Sequence, residues 1–422
     1  MPSPAQQKQR FYQDMDQLAF FKDASQKGDI FLYHTGDNPA FLLSHPDYVE
    51  YALATHEENF AHQEHPYQLL QPILTANGRF LLRLKQDDDQ GRQNFLNLMA
   101  LTQQHSQNLL DFIQTHHTSP FEITQPFKEH ILRFIVDALF GIDTTQGLEN
   151  FVYGTSLVEL SVSNQMSFNP QESLTELVGR PFAAAQSIQT HFSATIAHFH
   201  LGNIDEDGCY HLNDQPIPAN KIHGAITRTL LNGYNALAGT LAWACYLLAQ
   251  HPTHRQTLQQ EIDTTLGPTP PTPHHIPQLR FTKMVLAETM RLYPPAWMLG
   301  RHAINADTIG NQEIPPQATV SVCPYTTHRH PDFWSHPEQF HPHHFSPEEN
   351  AGRHHYAWFP FGGGQRLCPG SHVSLPILQT FLAQLIQHFD WHTLPYHPTR
   401  PTGRISLRPE PGITLQFLAR NQ

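Results

Sequence analysis

The sequence predicts a mainly helical α+β fold. Three observations carry this: one β-prone hairpin near the start, helical spacing of apolar residues from Pro46 to about residue 300, and short β-prone pieces among prolines and histidines beyond it. The hairpin is Phe31 to Ser44, FLYHTGDNPAFLLS, with Gly36-Asp37-Asn38-Pro39 as the turn. Ala225 to Gln250, AITRTLLNGYNALAGTLAWACYLLAQ, carries only Arg228 as a charge and is the most apolar stretch. It is long enough to cross a bilayer, but Asn232, Asn235 and three threonines would then lie in hydrocarbon, so a long helix through a core is expected and no membrane span. Gly233 and Gly239 each cost about 1 kcal/mol in a helix, which predicts close approach by something flat or bulky. Ala318 to Cys323 reads as a strand, Ser374 to Phe389 as a final helix, and the tail as a hairpin around Pro409 to Gly412.

The 422 residues allow two to four domains, yet no repeat and no Gly/Ser linker divides them. With 39% hydrophobic and 15% charged residues the composition is globular. Lys+Arg total 25 against 37 Asp+Glu, a net charge of −12, which lacks the footprint of a general nucleic-acid binder. The 31 histidines read mostly as polar filler. Cys209, Cys245, Cys323 and Cys368 form no C-x-x-C pair, so neither a zinc ribbon nor a disulfide framework is expected. The start, MPSPAQQKQRFYQDMDQ, shows no secretory pattern, and a cytoplasmic location is the expectation.

The strongest motif is Phe359-Pro-Phe-Gly-Gly-Gly-Gln-Arg-Leu-Cys-Pro-Gly370. Consecutive glycines let the backbone turn tightly against a flat ligand, and amides at the following helix start favour a thiolate. Arg366 offers a cation to a carboxylate. A lone glycine-rich loop is more often a turn with an inert cysteine, but the whole pattern Phe361-x-x-Gly364-x-Arg366-x-Cys368-x-Gly370 resembles the haem-thiolate loop of the cytochrome P-450 family. Upstream, Glu288-Thr-Met-Arg291 places both charges on one helix face and alone reads as an ordinary ion pair. Followed by Leu292-Tyr293-Pro294-Pro295, it resembles the family's structural Glu-Arg lock. Arg301 resembles its propionate arginine, and Thr327-His-Arg-His-Pro331 the stretch before its meander. The resemblance covers about residue 28 to the end, implying residues 1–27 as an extension and 28–422 as one haem domain, a helical bundle with small sheets.

The resemblance implies haem b between the long helix and the cysteine loop, with Cys368 as iron ligand, Arg366 and Arg301 on the propionates, and Phe361 near the sulfur. Gly233, Asn235, Ala236 and Leu237 are expected to face the distal pocket, with Ala296 to Leu299 as another wall. Three places depart from the family. Asn235 and Ala236 stand where an acid and an alcohol usually relay protons to bound dioxygen. His344 replaces the arginine that completes the lock. Gln90 and Asn94 replace a Trp-x-x-x-Arg haem clamp, with Arg92 between them.

The implied activity is oxygen insertion into a hydrophobic small molecule, fatty-acyl or terpenoid, by a soluble bacterial-type member. Electrons would come from a separate ferredoxin- or flavodoxin-type protein. Two alternatives stay open: a peroxide-using enzyme (peroxygenase or hydroperoxide isomerase/dehydratase) in which Asn235 orients the peroxide, and a non-catalytic haem-binding sensor. Against the hydroperoxide version, the cysteine loop lacks the insertion of the plant hydroperoxide enzymes.

Overall fold

Some helix ends in this chain are set by capping groups that can be named. In the computed structural model, which describes residues 16–35, 38–61, 70, 89–142, 151–152, 188–198, 200–212, 215–395 and 397–420, helix α1 (Gln17–Ser25) starts at Asp16. The Asp16 carboxylate accepts from the amides of Leu18 and Ala19. Then come α2 (Pro46–Glu50), α3 (Asp89–His116) and α4 (Thr124–Phe140), the last ended by Gly141 at φ 65°. Helix α5 (Ala219–Gln250) is followed by α6 (Pro252–Leu266) and α7 (Arg280–Leu292). Glu261 of α6 caps α7 by accepting from the amides of Phe281 and Thr282. Short helices α8 (Pro324–Thr327) and α9 (Pro347–Asn350) precede α10 (Ser374–His388).

The hairpin strands Ile30–Thr35 and Asn38–Leu43 pair antiparallel, while the turn at 36–37 lies outside the described residues. They edge a five-stranded sheet completed by Thr319–Val322, Leu299–Ala303 and Phe60–Ala61, in that order. Thr319–Val322 runs parallel to Asn38–Leu43 and antiparallel to Leu299–Ala303, which sets Arg301 opposite Val320. The tail differs from its expected shape. Arg400–Gly403 pairs with Leu407–Glu410, so the turn falls at 404–406, and 409–412 instead leads into Thr414–Ala419, which pairs with Phe389–Thr393.

Residues from α3, α4, α5, α7 and α10 share the largest apolar cluster, with Phe127, Phe134, Trp243, Phe381 and Trp391 fully buried in it. Trp391 also ties the tail to α5 by donating from Nε1 to the Cys245 carbonyl at 2.8 Å. Helix α5 is continuous across Gly233 and Gly239, and among the described residues no helix is long and apolar enough to cross a membrane. Both glycines face protein. A Cβ on Gly233 would meet the Ile135 side chain of α4 at 3.6 Å, and one on Gly239 the Leu407 carbonyl at 4.0 Å.

Those are ordinary contact distances on a helical backbone, so Gly233→Ala is expected to stabilise the protein by about 0.5–1 kcal/mol in urea unfolding, through helix propensity. A destabilised variant would mean that Gly233 does serve a close approach.

Candidate functional site

The interior of α7 holds a charged pair that no water reaches. Glu288 and Arg291, one helical turn apart, are both 0% exposed. Arg291 uses all five of its N–H groups: Nε and Nη2 donate to the two Glu288 oxygens at 2.7 and 2.8 Å, and the others to the carbonyls of His328, Pro337 and Gln339. Glu288 Oε1 also accepts from the His341 amide at 2.9 Å and faces His344 Nδ1 at 3.1 Å. Burial pushes the Glu288 carboxyl up, but the hydrogen bonds from Arg291 and His344 outweigh it and hold it below the ordinary value. The structure thus brings Glu288, Arg291 and His344 together. Removing one partner of such a pair typically costs about 3–5 kcal/mol, because the other charge is left buried and uncompensated.

The pair reaches the cysteine loop through His328, part of the Thr327-His-Arg-His-Pro331 motif. Its carbonyl accepts from Arg291 Nη1 at 3.0 Å, and its ring Nε2 accepts the Phe359 N–H at 2.9 Å. Burial, aided by Arg291 and Arg329, pushes this imidazole down to about 3, so the ring is neutral and Nε2 is free to accept. The Phe359 carbonyl takes the Gly362 N–H at 3.0 Å, and the Phe361 carbonyl takes the Cys368 N–H at 2.9 Å. The lock and the loop are therefore one connected hydrogen-bonded system.

Within the loop, Gly364 sits at φ 64°, and a Cβ there would lie 2.0 Å from the Leu53 carbonyl and 2.3 Å from Glu57 Oε2. The Gln365 N–H donates to that same Glu57 oxygen at 3.0 Å. A Cβ on Gly363 would collide with the Tyr356 ring at 2.5 Å. The glycines are thus required by pressing the loop onto residues 51–57 and Tyr356. Phe361 is half-buried and stands edge-on to Trp358.

Cys368 opens a turn, Pro369–His372, that leads into α10, and the amides of Gly370 and Ser371 point at its sulfur. Burial of the surroundings pushes the thiol up, although the residue keeps partial contact with solvent; the two amides pull the other way, toward the thiolate. Gly370 leaves the sulfur open, since a Cβ there would stand 3.7 Å from Sγ. By contrast Cys323 is fully buried, donates to the Trp297 carbonyl, and is pushed up to about 11 by burial. Cys245 is fully buried as well.

Arg301 and Arg366 lie close enough to repel. Burial, then the Arg366 charge, lowers Arg301, while Glu57 opposes; Arg366 is likewise lowered by burial against Glu57. Among the described residues neither guanidinium forms an ion pair, and Arg301 donates only to the Gly300 carbonyl. Two crowded cations short of carboxylates, beside a cysteine with amides converging on its sulfur, fit a flat dianionic group that takes a thiolate ligand. Haem has that chemistry.

Along α5, Gly233 packs on Ile135 and is half-buried like Ala236, while Asn235 and Leu237 are buried. Asn232, one turn before Ala236, is exposed. Thr240 Oγ1 donates to the Ala236 carbonyl at 2.8 Å. Trp297 is buried among Leu18, Phe21 and Cys323 and donates Nε1 to the Arg404 carbonyl at 2.7 Å. Ala296 is exposed, and Met298 and Leu299 are half-buried. At the expected clamp, Asn94 is buried and Arg92 exposed, and the Gln90 side chain lies outside the described residues.

The family profile described as Cytochrome P450 matches residues 5–417. Among curated proteins, cyclooctatin synthase of Streptomyces melanosporofaciens is 31% identical over 191 residues, which cover 45% of this chain and 42% of that protein. Thromboxane-A synthase of Mus musculus is 29% identical over 210 residues, 49% of this chain and 39% of that protein. The mitochondrial 25-hydroxyvitamin D-1 alpha hydroxylase of Homo sapiens is 36% identical over 210 residues, 49% of this chain and 41% of that protein. The matched segments thus span about two-fifths of the length of these relatives.

Proposed function

Because the chain belongs to the cytochrome P450 family, we propose that it holds haem b through the Cys368 thiolate and inserts one oxygen atom into a hydrophobic small molecule. The observation that carries this reading is the cysteine loop: a half-buried cysteine with the amides of Gly370 and Ser371 on its sulfur, and Arg301 and Arg366, which form no ion pair among the described residues. The family's cofactor, when bound, supplies the oxygen-transfer chemistry, with the thiolate favouring O–O cleavage. Here the two amides stabilise negative charge on sulfur, the two arginines neutralise the propionates, and the glycines let a flat ring approach. Residues 28–422 form the haem domain in this reading, and residues 1–27 an extension.

Ala296, Met298, Leu299 and Ala236 offer an apolar lining, which supports a fatty-acyl or terpenoid substrate for a soluble, bacterial-type member acting in the cytoplasm. Electrons reach it from a separate ferredoxin- or flavodoxin-type protein. If the assignment holds, reduced protein with carbon monoxide absorbs at about 450 nm, and Cys368→Ala loses that band. A band that survives the substitution contradicts it.

A second reading rests on the helix α5. Ala236 presents a methyl group where the family's alcohol usually stands, Asn235 replaces the acid, and the nearby Thr240 hydroxyl is committed to a carbonyl. A chain without a ready proton donor there fits peroxide as oxidant, since peroxide brings its own oxygen–oxygen bond already reduced. Asn235→Glu combined with Ala236→Thr is expected to raise electron-driven turnover on the order of tenfold or more while sparing peroxide-driven turnover. Loss of both activities would instead assign Asn235 to handling the peroxide.

A further inference from the structure

We propose that the Glu57 carboxylate, docked on the cysteine loop, lowers the reduction potential of the haem that this loop holds. The proposal rests on the haem-thiolate reading above. Among the described residues Glu57 forms no ion pair, and its bond to the loop is to a backbone amide. It therefore acts as a positioning residue and through its charge, and it is not a catalytic residue.

The segment that carries Glu57 is fixed on two sides. On one side, Phe60 pairs with Ala303 and Ala61 with His302, on the strand that holds Arg301. The Asn59 carbonyl accepts the Ile304 N–H at 2.8 Å, and the Asn59 side chain binds both the Asn305 amide and the Asp307 carboxylate at 2.9 Å. On the other side, Glu57 Oε2 accepts the Gln365 N–H at 3.0 Å, three residues before the cysteine. The contact is close, since a Cβ on Gly364 would lie 2.3 Å from that same oxygen. Glu57 thus joins the strand of Arg301 to the loop of Arg366 and Cys368.

A neutral oxygen would serve one amide equally well, so what the carboxylate adds is charge. Glu57 is half-buried, and its field acts on both arginines, against the desolvation that each suffers. Its neighbour Glu58 is exposed and more fully screened by water. Asp307 is engaged by the Tyr51 hydroxyl and Asn59.

The balance of charge then depends on occupancy. Two guanidinium groups against one carboxylate leave a positive surplus, which draws in a dianion. Two propionates pair with the arginines and turn the surplus negative, because Glu57 cannot leave the loop. A negative charge near an iron that alternates between three and two positive charges favours the higher charge, so an electron is harder to add.

Spectroelectrochemical titration of the holoprotein tests this, comparing wild type, Glu57→Gln and Glu57→Asp. Glutamine keeps an oxygen for the Gln365 N–H and drops the charge, while aspartate keeps the charge on a shorter arm. At a fixed poise the ferrous-to-ferric ratio of Glu57→Gln should rise on the order of fivefold, and Glu57→Asp should stay nearer to wild type. An unchanged ratio in Glu57→Gln overturns the proposal. So does an equal shift in both variants, which would assign the effect to the fit of the side chain. The carbon monoxide band at about 450 nm, read on the same samples, keeps this test apart from the haem-thiolate reading, because Glu57→Gln is expected to retain it and Cys368→Ala to lose it. Should Glu57→Gln fail to fold, Glu57→Ala, which also lacks the charge, is read in its place on the same scale.

Discussion

A buried guanidinium has five protons to place, and Arg291 places all of them within the protein. Two go to Glu288 and fix the rotamers of both residues on α7. Three go to carbonyls of residues 328, 337 and 339, which lie far along the chain. Leaving any of these N–H groups unpaired in a dry site would cost more than an ordinary surface contact returns, so the backbone of this irregular segment is held in one path. His328 then carries the constraint onward, because its ring accepts the Phe359 amide at the entrance of the cysteine loop. The chemistry proposed for Cys368 depends on this scaffold although no part of the ion pair touches the sulfur.

The loop itself balances opposing electrostatic demands. Burial disfavours the thiolate, and the amides of Gly370 and Ser371 favour it. Arg301 and Arg366 are costly neighbours for one another in a partly buried place, and Glu57, shared with the Gln365 amide, offsets only part of that cost. Such an arrangement is reasonable in a site prepared for a bound anion. A dianionic ring with an electrophilic metal relieves both tensions at once, by pairing the arginines and ligating the sulfur.

Features set by short-range spacing were legible in the sequence. The Cys368 loop, the Glu288-x-x-Arg291 pair, the first hairpin and the long helix all depend on residues a few positions apart, and they appear where their patterns lie. Features set by rotation and docking were not. Gly233 predicts close approach by something flat or bulky, and which neighbour packs there, here Ile135, is decided by how the helices dock. Trp297 follows the Glu288-x-x-Arg291 motif closely in sequence, but its bond to the Arg404 carbonyl joins segments more than a hundred residues apart. The tail turn was misplaced because Pro409 and Gly412 have turn chemistry while the strand register puts the reversal at 404–406. The roles of Glu57 and of His328, although the latter lies in the Thr327-His-Arg-His-Pro331 motif, were not legible, since each acts on a segment hundreds or tens of residues away.

The central claim is that the Arg291 lock holds the cysteine loop through His328. Amide hydrogen exchange across residues 359–370 tests it most directly, compared between the wild type and Arg291→Lys, which keeps the charge but cannot supply five directed N–H groups. The account predicts faster exchange at Phe359 and Cys368 in the variant, together with the 328–341 segment. Acceleration confined to 328–341, with the loop amides protected as before, would contradict it.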